Sequence, residues 1–254
     1  MAIPSVLSEP RFSSLPERLR AVHARIDAAC QAHGRPRSDT QLLCVSKTQP
    51  AAAIRAAHAL GERHFGENYV QEALDKMAGL TDLRDQLCWH LIGPLQANKT
   101  RAVAEAFDWV HSVDRLRIAE RLSAQRPASL PPLQICLQVN IDQEDSKHGL
   151  APQDCLALAQ AVATLPGLRL RGLMAIPAPA EELAAQREPH RRLAALLRSL
   201  NQQGLALDTL SMGMSADLEA AVAEGASWLR IGSAVFGARL PASARPPAAQ
   251  GTHP

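Results

Sequence analysis

The chain alternates short apolar runs of strand length with longer stretches whose apolar residues recur every three or four positions. The first pattern is typical of β-strands and the second of amphipathic helices. Every strand-like run but the last is clearly followed by a helical stretch. The runs cover residues 41–46, 63–66, 86–92, 108–112, 133–141, 168–176, 207–211 and 228–231. Such alternation favours a parallel sheet, and 254 residues suit one closed barrel of about 250. We therefore predict an α/β fold, a single (β/α)8 TIM barrel.

An extra helix is predicted before the first strand. Residues 13–17 combine serine hydroxyls that can cap a helix, Pro16 in the first turn and the acidic Glu17. The apolar residues that follow keep helical spacing, so this helix should pack one face on the barrel and run to Gly34. The predicted domains are a flexible tail over 1–12, the barrel over 13–239 and a disordered tail, rich in Pro and Ala, over 240–254.

Composition excludes several classes of protein. The hydrophobic fraction is 46%, yet no apolar run approaches the ~18 residues that span a bilayer. The first ten residues contain two prolines and no long apolar core, so we expect no signal peptide and a cytoplasmic location. The net charge of +2 is spread evenly, which gives no reason to expect nucleic-acid binding.

The cysteines are five in number, scattered and without a Cys-x-x-Cys pair. Disulfides and a metal site are therefore not expected. Cys44, Cys88 and Cys136 fall inside apolar runs, where a cysteine usually serves as a small buried hydrophobe.

Two neighbouring turns are typical of phosphate binding. In the first, Ser211 and Met212 end an apolar run, Gly213 lets the backbone approach a ligand, and Ser215 with Asp217 opens a helix. In the second, Gly232 and Ser233 break the last apolar run. The last loops of a barrel often bind phosphate through N–H groups and hydroxyls. Each turn alone could be an ordinary connection, but together they indicate a phosphate site.

Lys47 ends the first predicted strand. Because side chains alternate along a strand, Lys47 shares a face with Leu43 and Val45, while Leu42, Cys44 and Ser46 share the other. If the first face lines the barrel, Lys47 points into the mouth, where active sites of this fold lie. The alternative is a lysine that marks the strand end in solvent, and spacing alone does not separate the two.

Seven residues, most of them polar, stand at the carboxyl ends of the predicted strands. They are Lys47, Asn68, His90, Asn140, Met174, Ser211 and Arg230. A lysine, a phosphate site and an arginine at one mouth are what pyridoxal phosphate requires, since its aldehyde condenses with an amine and its ring nitrogen needs a polar partner. The polar loop 142–149 is a natural lid.

The chain resembles the pyridoxal phosphate homeostasis protein family from about residue 13 to residue 239. The segments that carry the resemblance are 45–48, 64–72, 89–99, 172–177 and the two phosphate turns. The resemblance implies a barrel like the N-terminal domain of alanine racemase, with pyridoxal 5'-phosphate held as a Schiff base on Lys47. It also implies a protein that buffers or delivers this cofactor and has no established turnover. We expect cofactor-dependent apo-enzymes as partners and a monomeric state.

The family's roles carry over residue by residue. The resemblance makes Lys47 the Schiff-base lysine, Asn68 a pocket residue near the ring, and Arg230 the partner of the ring nitrogen. Ser215, Gly232 and Ser233 become the phosphate ligands, and Ser211, Met212 and Gly213 belong to the same motif. An arginine has no acceptor, so it donates to an unprotonated ring nitrogen and leaves the cofactor a weaker electron sink.

Two enzymatic readings compete with cofactor carriage. A racemase needs a second base, which related enzymes supply as a tyrosine from an extra domain. This chain is expected to lack that domain, and its single tyrosine, Tyr69, is expected to be structural. An aldolase acting on a sugar phosphate would also need a lysine and a phosphate site, but it would be colourless. His90 is expected to serve as a structural hydrogen-bonding group.

Overall fold

Eight parallel strands close into a barrel in sequence order, each pairing with the next and β8 pairing with β1. The computed structural model describes residues 12–144 and 147–237. The strands are β1 (Gln41–Val45), β2 (His64–Glu67), β3 (Cys88–Leu91), β4 (Trp109–Val113), β5 (Leu133–Gln138), β6 (Leu168–Met174), β7 (Thr209–Ser211) and β8 (Trp228–Ile231). The predicted (β/α)8 barrel is confirmed.

Helices pack around the outside of this barrel. They are α1 (Leu15–Ala32), α2 (Ala51–Ala59), α3 (Val70–Ala78), α4 (Thr100–Ala106), α5 (Leu116–Gln125), α6 (Cys155–Ala163), α7 (Leu183–Gln202), α8 (Leu218–Ala223) and α9 (Ser233–Phe236). Short 3-10 helices cover Arg37–Asp39, Thr81–Gln86, Ala97–Lys99 and Pro152–Asp154. The extra N-terminal helix α1 buries its apolar stripe, as its spacing predicts.

Several predicted strands and helices end at residues other than those predicted. The fifth strand ends at Gln138 instead of residue 141, because the chain then turns and only Val139 keeps a bridge, to Leu150. Helix α1 ends at Ala32, before Gly34. Ser14 occupies the N-cap position of α1, but its hydroxyl accepts a hydrogen bond from Arg18 instead of capping a backbone N–H.

The two faces of β1 separate as alternation predicts. Leu43 lies inside the barrel in a small cluster with Ile92, Trp109, Cys136, Met174 and Trp228, against which Val45 packs. Leu42 and Cys44 instead belong to the larger core between strands and helices. Lys47 therefore follows the interior face of β1 out to the mouth.

Within the described residues, none of the helices combines the length and hydropathy that a membrane crossing requires. All five cysteines are free, and Cys44 and Cys136 are fully buried as predicted, whereas Cys88 is only partly buried. The predicted flexible tail (1–12, except its last residue) and disordered tail (240–254) lie outside the described residues.

Candidate functional site

A cavity of about 310 Å³ opens at the carboxyl ends of the strands. Six of the nine predicted site residues line it. They are Lys47, Asn68, Ser215, Arg230, Gly232 and Ser233. The structure thus brings a lysine, an arginine and the two predicted phosphate turns to one mouth. Seven further residues complete the wall and were not assigned to the site from the sequence, namely Val45, Gln49, Ile92, Ile176, Met214, Ala216 and Gly237.

The other three predicted residues, Ser211, Met212 and Gly213, lie outside the cavity lining. Ser211 is fully buried inside the barrel, below the mouth. Met212 is also fully buried and belongs to the core between strands and helices, because the chain alternates sides as it leaves β7. Met214, two residues on, is the methionine that reaches the cavity.

Gly213 shapes the turn between these two methionines. Its φ is +87°, and a Cβ there would lie 2.4 Å from the Cβ of Ala221. Only glycine accepts both the left-handed backbone and this close approach to α8. The turn continues to Asp217, so α8 begins at Leu218 and not at Ser215.

A buried ionic network holds the end of β1, next to Lys47. The Nζ of Lys76 donates to the Ser46 carbonyl at 2.8 Å and contacts Oε1 of Glu67 and of Glu72 at 2.7 Å each. The Ser46 hydroxyl also donates to Glu67 at 2.6 Å. Burial raises the pKa of Glu67, while Lys76 and Ser46 oppose the rise. The network fixes the backbone from which the Lys47 side chain projects.

The residue after Lys47 has an unusual backbone. Thr48 has a φ of 66°, a conformation that β-branched residues rarely adopt. Its N–H donates to Oε1 of Glu72, the same carboxylate that binds Lys76. The turn that carries Lys47 is therefore held from α3 on both sides of the lysine.

Arginines of α1 and an aspartate brace the two phosphate turns. Arg18 donates to the Val235 carbonyl at 2.7 Å, and Arg25 donates to the Ser215 carbonyl at 3.1 Å. Asp217 accepts from the Met214 N–H at 2.7 Å and lies 2.9 Å from the buried His190. Burial opposes ionisation of Asp217, yet these hydrogen bonds outweigh it and hold its pKa below the usual value. Sequence reasoning missed these contacts, except that Asp217 stood in the predicted turn.

Arg230 lies almost fully inside the protein. It is 5% exposed and donates to Ser211 Oγ at 2.9 Å and to the Ala175 carbonyl at 2.8 Å. Burial lowers its pKa to about 10, and the nearby Asp217 opposes this, so the guanidinium stays charged at neutral pH. These two anchors orient the guanidinium, which also lines the cavity.

Asn68 lines the cavity and carries an unsatisfied polar atom. Its Oδ1 is buried and lacks a hydrogen-bond partner among the described residues. Gly93 packs directly against the backbone of Asn68, because a Cβ on Gly93 would lie 2.3 Å from the backbone carbonyl oxygen of Asn68. An orphaned acceptor, hydroxyls on two turns and a buried cation fit a ligand with a polar ring and an anionic arm.

The remaining predicted residues have other partners. Asn140 bonds the backbone of Glu144 and folds its own loop. Asp142, in the predicted lid, accepts from the Ala178 N–H and pairs with Lys147 and Arg192. Residues 145 and 146 lie outside the described chain, and the role of a lid stays a prediction.

One histidine and cysteine cluster lies inside the barrel. His64, Cys88 and His90 place potential ligand atoms within 4.8 Å of one another, although the sequence led us to expect no metal site. The two histidine rings already bond each other at 3.0 Å. Burial raises the pKa of the Cys88 thiol to about 12. Metals need deprotonated ligands, so these contacts favour hydrogen bonding over chelation.

Comparison with known proteins shows the class of protein to which this chain belongs. The family model of the alanine racemase N-terminal domain matches residues 18–240. The chain is 63% identical over 228 residues to the pyridoxal phosphate homeostasis protein of Pseudomonas aeruginosa, covering 90% of this chain and 97% of that one. It is 52% identical over 229 residues to the protein of that name from Escherichia coli, covering 90% and 98%.

A solved structure agrees with these relatives. The PipY protein of Synechococcus elongatus, determined with PLP bound, is 41% identical with a TM-score of 0.77 and covers 88% of this chain and all of its own. With this barrel and this extent of identity, the chain belongs to the pyridoxal phosphate homeostasis protein family.

Proposed function

We propose that this protein binds pyridoxal 5'-phosphate in the barrel mouth, holds it covalently on Lys47 and serves cytoplasmic homeostasis of the cofactor. The observation that carries the proposal is the convergence of Lys47, Arg230, Ser215 and Ser233 on one cavity. The PLP-bound relative supports the same ligand. The cytoplasmic location rests on the five free cysteines, since thiols stay reduced there.

Different residues of the cavity bind different parts of the ligand. Pyridoxal phosphate supplies an aldehyde that condenses with a lysine amine, with loss of one water. Lys47 provides that amine at the end of β1. Ser215, Ser233 and the Gly232 backbone provide donors for the phosphate. Arg230 donates to the ring nitrogen and keeps it unprotonated, and Asn68 offers its unsatisfied Oδ1 to a polar group near the ring.

Homeostasis, and not turnover, fits this donor set. The relatives compared above are named for homeostasis of the cofactor. Tyr69, the single tyrosine and the base that a racemase-like mechanism would need, is 60% exposed and is not among the cavity-lining residues. We expect no racemisation of free amino acids. Racemase activity that Tyr69→Phe abolishes would contradict this proposal.

The first test is titration of the purified protein with pyridoxal phosphate, monitored by visible absorption. The protein should turn yellow, and Lys47→Ala should abolish the visible band while phosphate-dependent, non-covalent binding survives. A protein that is colourless once unbound cofactor has been removed would instead favour the lysine aldolase reading.

The second test concerns delivery. The loaded protein should restore activity to a cofactor-free pyridoxal phosphate enzyme faster than the cofactor dissociates into solution. A transfer rate equal to the dissociation rate would limit the protein to buffering the cofactor.

A further inference from the structure

A continuous hydrogen-bonded chain runs through the barrel interior from Arg230. Ser211 Oγ lies 2.7 Å from His111 Nδ1, His111 Nε2 lies 2.9 Å from His90 Nδ1, and His90 Nε2 lies 3.0 Å from His64 Nδ1. With the 2.9 Å bond from Arg230 to Ser211, the chain joins four strands besides β8. It begins at the cavity and ends at His64, which lines a polar cleft beside Arg37 and Arg63.

This chain occupies a place where barrels usually pack branched aliphatic side chains in layers. His90, His111 and Ser211 have no exposed surface. Trp109 stacks on His90 at 5.5 Å between ring centroids, and Trp228 contacts its edge at 4.9 Å. The His90 ring therefore cannot reorient freely, and each ring nitrogen of His90 and of His111 has one fixed partner.

Arg230 sets the direction of every bond in the chain. A guanidinium only donates, so Ser211 Oγ must accept from it. The Ser211 proton is buried and needs an acceptor, which His111 Nδ1 provides. His111 then carries its proton on Nε2 and donates to His90, and His90 in the same way donates to His64. All three imidazoles are neutral, with the proton on Nε2.

Burial agrees with the neutral forms. It lowers the pKa of His64, lowers that of His90 well below its usual value and lowers that of His111 to about 3. Among the residues that the structure describes, no carboxylate accepts a hydrogen bond from Arg230, and the nearby Asp217 is engaged by His190 and by the Met214 N–H. Each residue of the hydrogen-bonded chain turns its accepting atom toward the buried cation and donates away from it, which is the orientation that stabilises the cation.

We propose that Ser211, His111, His90 and His64 are positioning residues that hold Arg230 charged and aimed at the ring nitrogen of the ligand. This inference rests on the proposed function for the identity of the ligand. The direction of the chain, however, is a property of the protein alone. The two parts can be tested separately.

The direction of these hydrogen bonds is tested by ¹H–¹⁵N correlation of the histidine rings. The spectra are recorded on the full-length protein without added cofactor at neutral pH. His64→Gln, His90→Gln and His111→Gln assign the signals. All three rings should be neutral with the proton on Nε2, and Arg230→Met should return His111 to a mixture of tautomers. A proton on Nδ1, or a charged ring, at any of the three positions in the unmutated protein overturns the proposal.

The effect on the ligand is tested with two compounds, pyridoxal phosphate and its analogue with carbon in place of the ring nitrogen. Ser211→Ala should raise the dissociation constant of pyridoxal phosphate about tenfold and leave that of the analogue unchanged. The control His58→Gln, on α2 outside the barrel, should change neither. Equal weakening of both compounds by Ser211→Ala would show a merely structural role and overturn the proposal.

The two failures are distinguishable. If the unmutated protein binds neither compound, the proposed function is wrong, while the ring spectra still decide the direction of the chain. If it binds both compounds and the spectra show another tautomer, the proposed function stands and the chain proposal is wrong.

Discussion

At the scale of single residues, the predicted phosphate turns separate the affinity for the cofactor from its proposed covalent attachment. Ser233 lines the cavity but has no part in the proposed bond to Lys47. Because one hydrogen bond to a charged group contributes about 1.5–3 kcal/mol, Ser233→Ala should keep the yellow colour but lose the cofactor at least tenfold faster. Dialysis followed by absorption measures this loss. Retention equal to that of the unmutated protein would remove Ser233 from the phosphate site.

Gly213 gives a second prediction at this scale, on stability. Gly213→Ala combines a left-handed backbone with a Cβ 2.4 Å from that of Ala221, so the free energy of unfolding should fall by about 2–4 kcal/mol. Gly204 is a matched control, since its φ is +92° but a Cβ there would meet nothing within 4 Å. Gly204→Ala should cost about 1 kcal/mol. Equal losses in urea denaturation would show that the contact with α8 does not matter.

At the scale of elements, α3 holds the loop that carries Lys47. Lys76→Met should leave Glu67 buried without its cation and lower the free energy of unfolding by about 3–5 kcal/mol. The double variant Lys76→Met/Glu67→Gln should recover much of this loss, because the buried charge is removed together with its partner. Thermal and urea unfolding measure both variants. A double variant less stable than the single one would contradict this account of the network.

Helix α1 acts on the other side of the mouth. Arg25 is a partly exposed partner of Glu219, so Arg25→Ala should change stability by less than about 1 kcal/mol. It also loses the bond to the Ser215 carbonyl, and cofactor should therefore dissociate several-fold faster. Arg55→Ala is the matched control, since it breaks a partly exposed pair between Arg55 on α2 and Asp82 in the following 3-10 helix. Equal dissociation rates for the two variants would show that α1 does not brace the site.

The sequence predicted the elements, but it did not predict the contacts between elements that are distant in the chain. Periodicity within one segment predicted every strand and put Lys47 on the face of Leu43 and Val45, which the structure shows to be the interior face. The contacts of Arg18 and Arg25 with residues 235 and 215 span 217 and 190 positions, and no local pattern encodes them. The histidine chain depends on inter-strand register, which pairs Gly66 with His90 and His90 with Trp109. The burial of Met212 in the core could not be predicted, because side-chain alternation is difficult to extrapolate beyond a strand end.

At the scale of the whole molecule, the buried histidines make stability depend on pH. His64, His90 and His111 have lowered pKa values, so the unfolded chain binds their protons first as the pH falls below about 6.5. Stability present above that pH is therefore lost on acidification, and for His111 the loss continues to about pH 3. Each histidine contributes up to about 1.4 kcal/mol per pH unit.

Urea denaturation between pH 7 and pH 5 measures this dependence. The free energy of unfolding should fall with pH in the unmutated protein, and the slope should be smaller by about one proton in His111→Gln. A slope that is flat over this range, or unchanged by the substitution, would contradict neutral burial of the chain.

The central claim is that the molecule holds its ligand on one lysine in the barrel mouth. The lysines of the chain are Lys47, Lys76, Lys99 and Lys147, and of these only Lys47 lines the cavity within the described residues. The most direct test is borohydride reduction of the protein loaded with pyridoxal phosphate, followed by proteolysis and peptide mass analysis. The account predicts one modified peptide, with the cofactor on Lys47. Stoichiometric modification of any other lysine, with Lys47 unmodified, would contradict it.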